Sequence, residues 1–178
     1  MTPPVEYLAE KQVTSEDDRR LRAILSTCYG GAGNEMFSYR RYWQEPPQHR
    51  WIMRAADRSN VSHLAVHDKV IGTENGDLRI GGVALVCTAV DYRRQGYAKK
   101  LLWVAHEWMM DAEIPFSLLF AVTDIYKSSG YRSISNPIRF WDWREKKTVV
   151  RVIPSAMVIP LAVCPWPDGL IDLRGPDF

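Results

Sequence analysis

The sequence has no apolar run that approaches bilayer-spanning length, and its first residues, MTPPVEYLAEKQ, contain no apolar leader core. Neither a membrane span nor a secretory signal is predicted. Cysteine is scarce. Cys28, Cys87 and Cys164 are odd in number and far apart in sequence, which excludes a disulfide framework and a metal-spaced cluster. Such usage predicts a reducing, cytoplasmic setting. An excess of one charge is missing too. Twenty-three Lys and Arg face 21 Asp and Glu, a net +2, so composition does not indicate nucleic acid or an anionic membrane as partner. There is no internal repeat and no low-complexity tract. What remains, 178 residues with 46% hydrophobic content, suits one domain over 1–178 with a real core.

The pattern along the chain alternates strands and helices. Val5–Lys11 reads as a strand. A helix follows from Thr14 or Ser15, with Ser15 and Asp18 as a loose capping box and with Leu21, Ile24, Leu25 and Cys28 on one face. Gly30-Gly31-Ala32-Gly33 stops it. The segment from Met36 to Trp43 mixes aromatics with Arg40 and Arg41. It reads as a short helix packing its aromatics on the core, although arginines among aromatics can also stack on bases or sugars. Trp51–Ala56 and the alternating Val61–Gly72 read as strands, joined to the next strand by the hairpin signal Asn75-Gly76. His63 and His67 fall on one strand face with no third ligand nearby, so they read as solvated or core-edge histidines and no metal is predicted. Further on, Leu101, Leu102, Ala105, Trp108 and Met109 mark an amphipathic helix ending before Pro115. Phe116–Val122 is an apolar strand. Thr123 or Asp124 caps a short helix over Ile125–Ser129, Gly130 suits a left-handed C-terminal position, and Tyr131–Ile134 returns to strand. The tail has a polar excursion over 141–147, strands over Thr148–Ile153 and Met157–Val163, and a turn-rich end. One hairpin series running into a parallel crossover is an α/β signature.

The stretch Leu78–Leu102, LRIGGVALVCTAVDYRRQGYAKKLL, organises the rest. An apolar strand passes through a basic turn into a helix. The first amides of a helix lack partners and carry partial positive charge, so this is the geometry of an anion site. Gly96 and Ala98 let a phosphate approach the backbone, and Arg93 and Arg94 add charge-assisted donors. The order Arg93-x-x-Gly96-x-Ala98 after a strand resembles the pyrophosphate loop of the GNAT N-acyltransferase superfamily. A second stretch, Tyr126-Lys127-Ser128-Ser129-Gly130-Tyr131, resembles that superfamily's Tyr-x-x-x-Gly-aromatic pattern. The resemblance covers roughly Ser15–Ser135.

The resemblance implies a GNAT fold: α/β, with a mixed, mostly antiparallel sheet, a splayed central strand pair and helices on both faces. It implies acetyl-CoA or another acyl-CoA as co-substrate, with no metal. Val86, Cys87 and Thr88 would offer backbone to the pantetheine arm, a bulge there would open the sheet, and Arg93, Arg94, Gln95, Gly96, Tyr97 and Ala98 would hold the diphosphate. Tyr126 would protonate the departing thiolate. Cys87 as an acyl-carrying nucleophile is the weaker reading, because a small buried hydrophobe in a strand explains it. The position where relatives carry a glutamate base lines up with Ala84. Deprotonation would then fall to water, a backbone carbonyl, or an acid such as Asp124, Asp168 or Asp172, or else the acceptor amine would have a low pKa.

Within the superfamily, Thr27-Cys28-Tyr29-Gly30, the run His63–His67 through Asn75-Gly76, and Leu161–Trp166 resemble aminoglycoside 2′-N-acetyltransferases and nodulation N-acyltransferases. Pro165 replaces the aspartate of their Cys-Asp-Trp tail, while Asp168, Asp172 and Asp177 keep the tail acidic. The tail 141–178 is expected to line or cover the acceptor side. The leading expectation is N-acetyl transfer to a small-molecule amine or amino sugar. The alternatives are a polymer-linked amine, with Arg40, Arg41, Trp43 and Trp143 as its surface, and a non-catalytic acyl-CoA sensor. A homodimer is left open.

Overall fold

Thr14 starts the first long helix. Its hydroxyl accepts from the Asp17 amide at 3.1 Å, and the Asp17 carboxylate accepts from the Thr14 amide at 3.2 Å. The capping box is therefore Thr14–Asp17, one residue earlier than Ser15–Asp18. Asp18 is taken up by Arg22 and Arg41, each at 2.8 Å. These features come from a computed structural model that describes residues 2–31, 35–121 and 124–178. The chain divides into two units, Met1–Val66 with Ala84–Ala105, and His67–Val83 with His106–Phe178.

In the first unit, β1 (Val5–Ala9) gives way to one 3-10 turn at Glu10–Gln12, shortening the expected strand. Then come α1 (Ser15–Tyr29), a 3-10 turn at Glu35–Ser38, β2 (His49–Arg54) and the first part of β3 (Asn60–Thr73). β2 pairs antiparallel with both β1 and β3. The unit is completed by the end of β4 (Gly76–Thr88) and the start of α2 (Tyr97–Asp111). Helical spacing puts Leu21, Ile24 and Leu25 in the core, and the acidic first turn complements the helix dipole. Phe37 is buried on a 3-10 turn rather than an α-helix and Trp43 packs partly buried on the same cluster, whereas Tyr39 is exposed, so only part of the aromatic segment packs on the core.

Arg41 is not a free surface charge. It pairs with Glu10 and Asp18, and Glu10 also holds the fully buried Arg50 at 2.7 Å. Arg50 in turn reaches His63 Nε2 at 3.0 Å and the Arg41 carbonyl at 3.1 Å. His63 therefore lies deep in the core rather than at its edge. Burial and the Arg50 charge push its pKa down to about 3.

The second unit begins where β3 turns into β4. Gly76 takes φ +107° at the expected hairpin, a conformation that costs glycine little. α2 finishes here, then β5 (Phe116–Phe120), α3 (Asp124–Lys127), β6 (Arg132–Ser133), β7 (Pro137–Asp142), β8 (Lys147–Val152), β9 (Ala156–Pro160) and β10 (Ile171–Pro176) follow. Within this unit the strand order is β6-β9-β5-β4-β3-β10-β7-β8. β4 and β5 run parallel, with Gly81 to Val83 opposite Ser117 to Leu119, and β10 runs parallel to β7. The pairs β5–β9, β6–β9, β7–β8 and β10–β3 are antiparallel. The core gathers Ile71, Ile80, Phe116, Leu118, Ile138, Val158 and Ile171, among others.

The element order expected through Ser133 is the one found. The tail differs. Residues 137–142 form a strand where the polar excursion was expected to begin, and Ile171–Pro176 form another inside the turn-rich end. Both use short apolar alternations, Ile138 with Phe140 and Ile171 with Leu173, whose partners lie about thirty positions away in sequence. Thr123, the alternative cap, lies outside the described residues. Among the described residues no helix is long and apolar enough to cross a membrane.

Candidate active site

The end of β4 is held from both sides. Leu85 adopts φ +53°, a left-handed conformation that costs a branched residue energy and marks an irregularity within the strand. Just before it, Gly81–Val83 are the β4 residues paired with β5. After it, the carbonyl of Val86 accepts from the Tyr29 hydroxyl at 2.8 Å, and that of Cys87 from Ser62 Oγ at 2.9 Å. The Thr88 carbonyl accepts from Arg93 Nε at 3.1 Å, which folds the loop's first arginine back onto the strand. Val86, Cys87 and Thr88 are thus fixed in place rather than merely extended.

The loop itself is one 3-10 turn at Val90–Tyr92, an extended Arg93, Arg94 at φ +62° and Gly96 at φ +79°. Arg93, Arg94, Gln95 and Gly96 are exposed, and Tyr97 turns inward as the first residue of α2. Gly96 precedes the helix rather than sitting in its first turn, and its carbonyl accepts from the Lys100 amide at 3.0 Å. A Cβ built on Gly96 would meet nothing within 4 Å. Its backbone faces open space at the amino end of a 15-residue helix, beside two arginines. Open backbone at a helix amino end beside arginines is a geometry in which an anion can be held.

Tyr126 lies in the other unit, on α3. It is 8% exposed, and Tyr131 meets its ring edge-on at 5.9 Å. Gly130, at φ +95°, lets the chain turn so that the Tyr131 amide donates to the Tyr126 carbonyl at 3.1 Å. Tyr131 is itself clamped. Its hydroxyl lies 2.6 Å from Ser117 Oγ and 2.8 Å from His106 Nε2. Burial drives the Tyr131 phenol well above its ordinary range and lowers His106 to about 4, so at neutral pH this is an uncharged network. The sequence singled out Tyr131 as the aromatic of its motif but not its partners Ser117 and His106. The available signal was a histidine on the apolar face of an amphipathic helix, between Leu102 and Met109.

Ala84, at the position expected to lack its base, is buried. Of the alternative acids, Asp124 and Asp168 are exposed, Asp124 lying 3.9 Å from Lys127. Asp172 is tied to Arg139 at 3.2 Å. The cysteines are not all apart in space: Cys28 packs on the cluster of Ile24, Leu25, Phe37 and Cys87. Trp43 packs partly buried on that cluster, and Arg41 is engaged by Glu10 and Asp18.

A model of the acetyltransferase (GNAT) domain matches residues 10–134, and the chain belongs to that family. Its fold is the GNAT fold, shared with many solved structures. A GNAT family N-acetyltransferase, YhbS, from Escherichia coli, solved with CoA, superposes with a TM-score of 0.70 at 14% identity, over 97% of this chain and 91% of that one. A GNAT family acetyltransferase from Brucella melitensis, solved with acetyl-CoA, gives 0.64 at 11% identity, over 94% of both chains. A GCN5-related N-acetyltransferase from Anabaena variabilis gives 0.56 at 19% identity, over 74% of this chain but only 33% of that longer one. Among curated proteins none matches the sequence.

Proposed function

We propose that this protein transfers an acyl group, acetyl foremost, from an acyl-CoA to a primary amine. The observation that carries the reading is the loop from Arg93 to Ala98: an open glycine backbone at a helix amino end, flanked by two arginines, on a chain of the acetyltransferase family. Arg93, Arg94, Gln95, Gly96, Tyr97 and Ala98 hold the diphosphate. Val86, Cys87 and Thr88 receive the pantetheine arm along backbone that Tyr29, Ser62 and Arg93 keep rigid. The amine nitrogen attacks the thioester carbonyl carbon, the carbon–sulfur bond breaks, and Tyr126 gives its phenolic proton to the thiolate. A phenol of ordinary pKa, about 10, is a slightly weaker acid than a thiol of about 8.5, so the transfer to the thiolate is uphill by only about 2 kcal/mol and is feasible near neutrality. Tyr131, clamped by Ser117 and His106, positions the Tyr126 ring.

The acceptor is a small amine, with amino sugars the first class to try, because Asp168, Asp172 and Asp177 keep the tail acidic. The test is release of free thiol from acetyl-CoA in the presence of amines, amino sugars and peptides, alongside calorimetry with CoA. Tyr126→Phe is expected to lose most turnover while keeping CoA affinity. A protein that binds CoA yet releases no thiol with any acceptor would be a sensor, and one with no CoA affinity would end the reading.

A further inference from the structure

The strand order of the second unit ends on β8, and among the described residues β8 pairs with β7 alone. An edge of this kind presents a row of unpaired amides and carbonyls, and it is ordinarily guarded by a proline, a bulge or a central lysine. β8 has none of the three. Lys147-Thr148-Val149-Val150-Arg151-Val152 contains no proline, and its pairing with β7 runs from Asp142 opposite Lys147 to Pro137 opposite Val152 with no register shift. The hairpin is also set in advance. The Asp142 carboxylate accepts the amides of Arg144 at 2.9 Å and Glu145 at 3.2 Å, which fixes the turn. Its edge cations are neutralised within the hairpin: Lys147 lies 2.9 Å from Glu145, and Arg151 pairs with Asp142 at 3.0 Å and with Glu145. Strand alternation sends Val149 into the core and leaves Thr148, Val150 and Val152 outside, with Val150 52% and Val152 56% exposed.

We propose that β8 pairs antiparallel with β8 of a second copy of this chain, about a two-fold axis at Val150, so that the two sheets join edge to edge. A two-fold pairing that keeps the inner face of both sheets on one side must set one residue of β8 opposite itself. Charge and overlap select which. An axis at Val149 sets Lys147 opposite Arg151 of the second copy, and an axis at Arg151 sets two arginines face to face. Like charges directly opposite destabilise a strand pair. An axis at Thr148 overlaps only residues 147–149 of the strand, and one at Val152 only its last residue. An axis at Val150 overlaps residues 148–152. It sets Val150 against Val150 and Thr148 against Val152 on the outer face, and Val149 beside the aliphatic stem of Arg151 on the inner one. No cation then stands opposite another. This match of the edge to itself is what favours a second copy over a strand from another protein. The pairing does not depend on the acyl-transfer reading.

The experiment is sedimentation equilibrium of the full chain under reducing conditions, from about 1 to about 200 µM. The expected result is a mass that rises with concentration from one chain to two. Val150→Lys sets two lysines opposite each other on the axis. It is expected to weaken association by about tenfold or more while its urea midpoint stays near that of the parent, because the side chain is exposed. Cross-linking then reads the register. On a Cys164→Ser background, Val150→Cys places two thiols directly opposite, with Cβ atoms about 5 Å apart, and a short bismaleimide is expected to link the chains through position 150. Thr148→Cys is expected to link far more slowly, since its two copies stand about 13 Å apart along the strands. A single-chain mass throughout the range, undiminished association in Val150→Lys, or faster linkage through position 148 than through position 150 would each overturn the proposal.

Discussion

The ring of Phe178 lies against the backbone of Gly82 so closely that a Cβ there would stand 2.6 Å from the ring. The same ring stacks on His67 at 5.4 Å and meets Phe120 at 5.1 Å. One residue earlier the opposite face is filled: a Cβ on Gly81 would stand 2.5 Å from the Met109 side chain. The Gly81-Gly82 pair thus admits a helix side chain on one face and an aromatic ring on the other. Gly82→Ala is expected to cost about 1–3 kcal/mol by overpacking. If the collision is with the ring, adding Phe178→Ala recovers most of that loss. Denaturant unfolding of the two single variants and the double variant checks it as a cycle.

The Glu10–Arg50 pair gives a second test. Arg50 is fully buried, and Glu10 is its carboxylate partner at 2.7 Å. Glu10→Gln leaves a buried guanidinium without its counter-charge and is expected to destabilise by about 3–5 kcal/mol. Glu10→Gln with Arg50→Met removes both charges and is expected to unfold at higher denaturant than Glu10→Gln alone. The reverse order of midpoints would show that the charge itself is not what Glu10 satisfies.

His63 and His106 set the acid side of the stability curve. Burial is the first cause in both, and brings them to about 3 and about 4 from an ordinary 6.5. Both are neutral in the native state over the range in which the unfolded chain takes up protons. Their contribution is complete above about pH 6.5 and is lost as pH falls toward the native values, at about 1.4 kcal/mol per pH unit for each histidine. Urea unfolding between about pH 7 and 4.5 reads the slope. His106→Gln is expected to remove close to half of it, and an unchanged slope would sink the assignment.

Gly96 separates conformation from contact. Its φ of +79° disfavours side chains, while open space surrounds the missing Cβ. Gly96→Ala is therefore expected to cost about 1–2 kcal/mol through backbone strain alone. Under the proposed function it also weakens CoA binding, because the loop relaxes away from the conformation that presents its amides. Arg94, at φ +62°, carries the opposite expectation: Arg94→Gly relieves strain and raises the unfolding midpoint while losing a diphosphate contact.

Much of the candidate site was legible because it is local. The loop after β4 is announced by an apolar run, two arginines and a glycine within a few positions, and the Tyr126–Tyr131 turn by a glycine at fixed spacing. The groups that support those motifs were not legible. Ser117 and His106, which hold Tyr131, come from a strand and a helix, and Tyr29 reaches Val86 across 57 positions of sequence. Hydrogen bonds between distant segments leave no periodic trace.

The sequence by itself determined the order of helices and strands through Ser133, the hairpin at Gly76, the helix face of Leu21, Ile24 and Leu25, and the family. Each follows from spacing within one element or one turn, where chain geometry alone dictates which side chains meet. Only the tertiary structure decided that Arg41 is an ion-pair partner of Glu10 and Asp18, that Cys28 and Cys87 share one packed cluster, and that residues 137–142 and 171–176 are strands. Those outcomes depend on which segment lies alongside, and short apolar pairs between prolines gain their strand character only once a partner supplies the hydrogen bonds and the buried face.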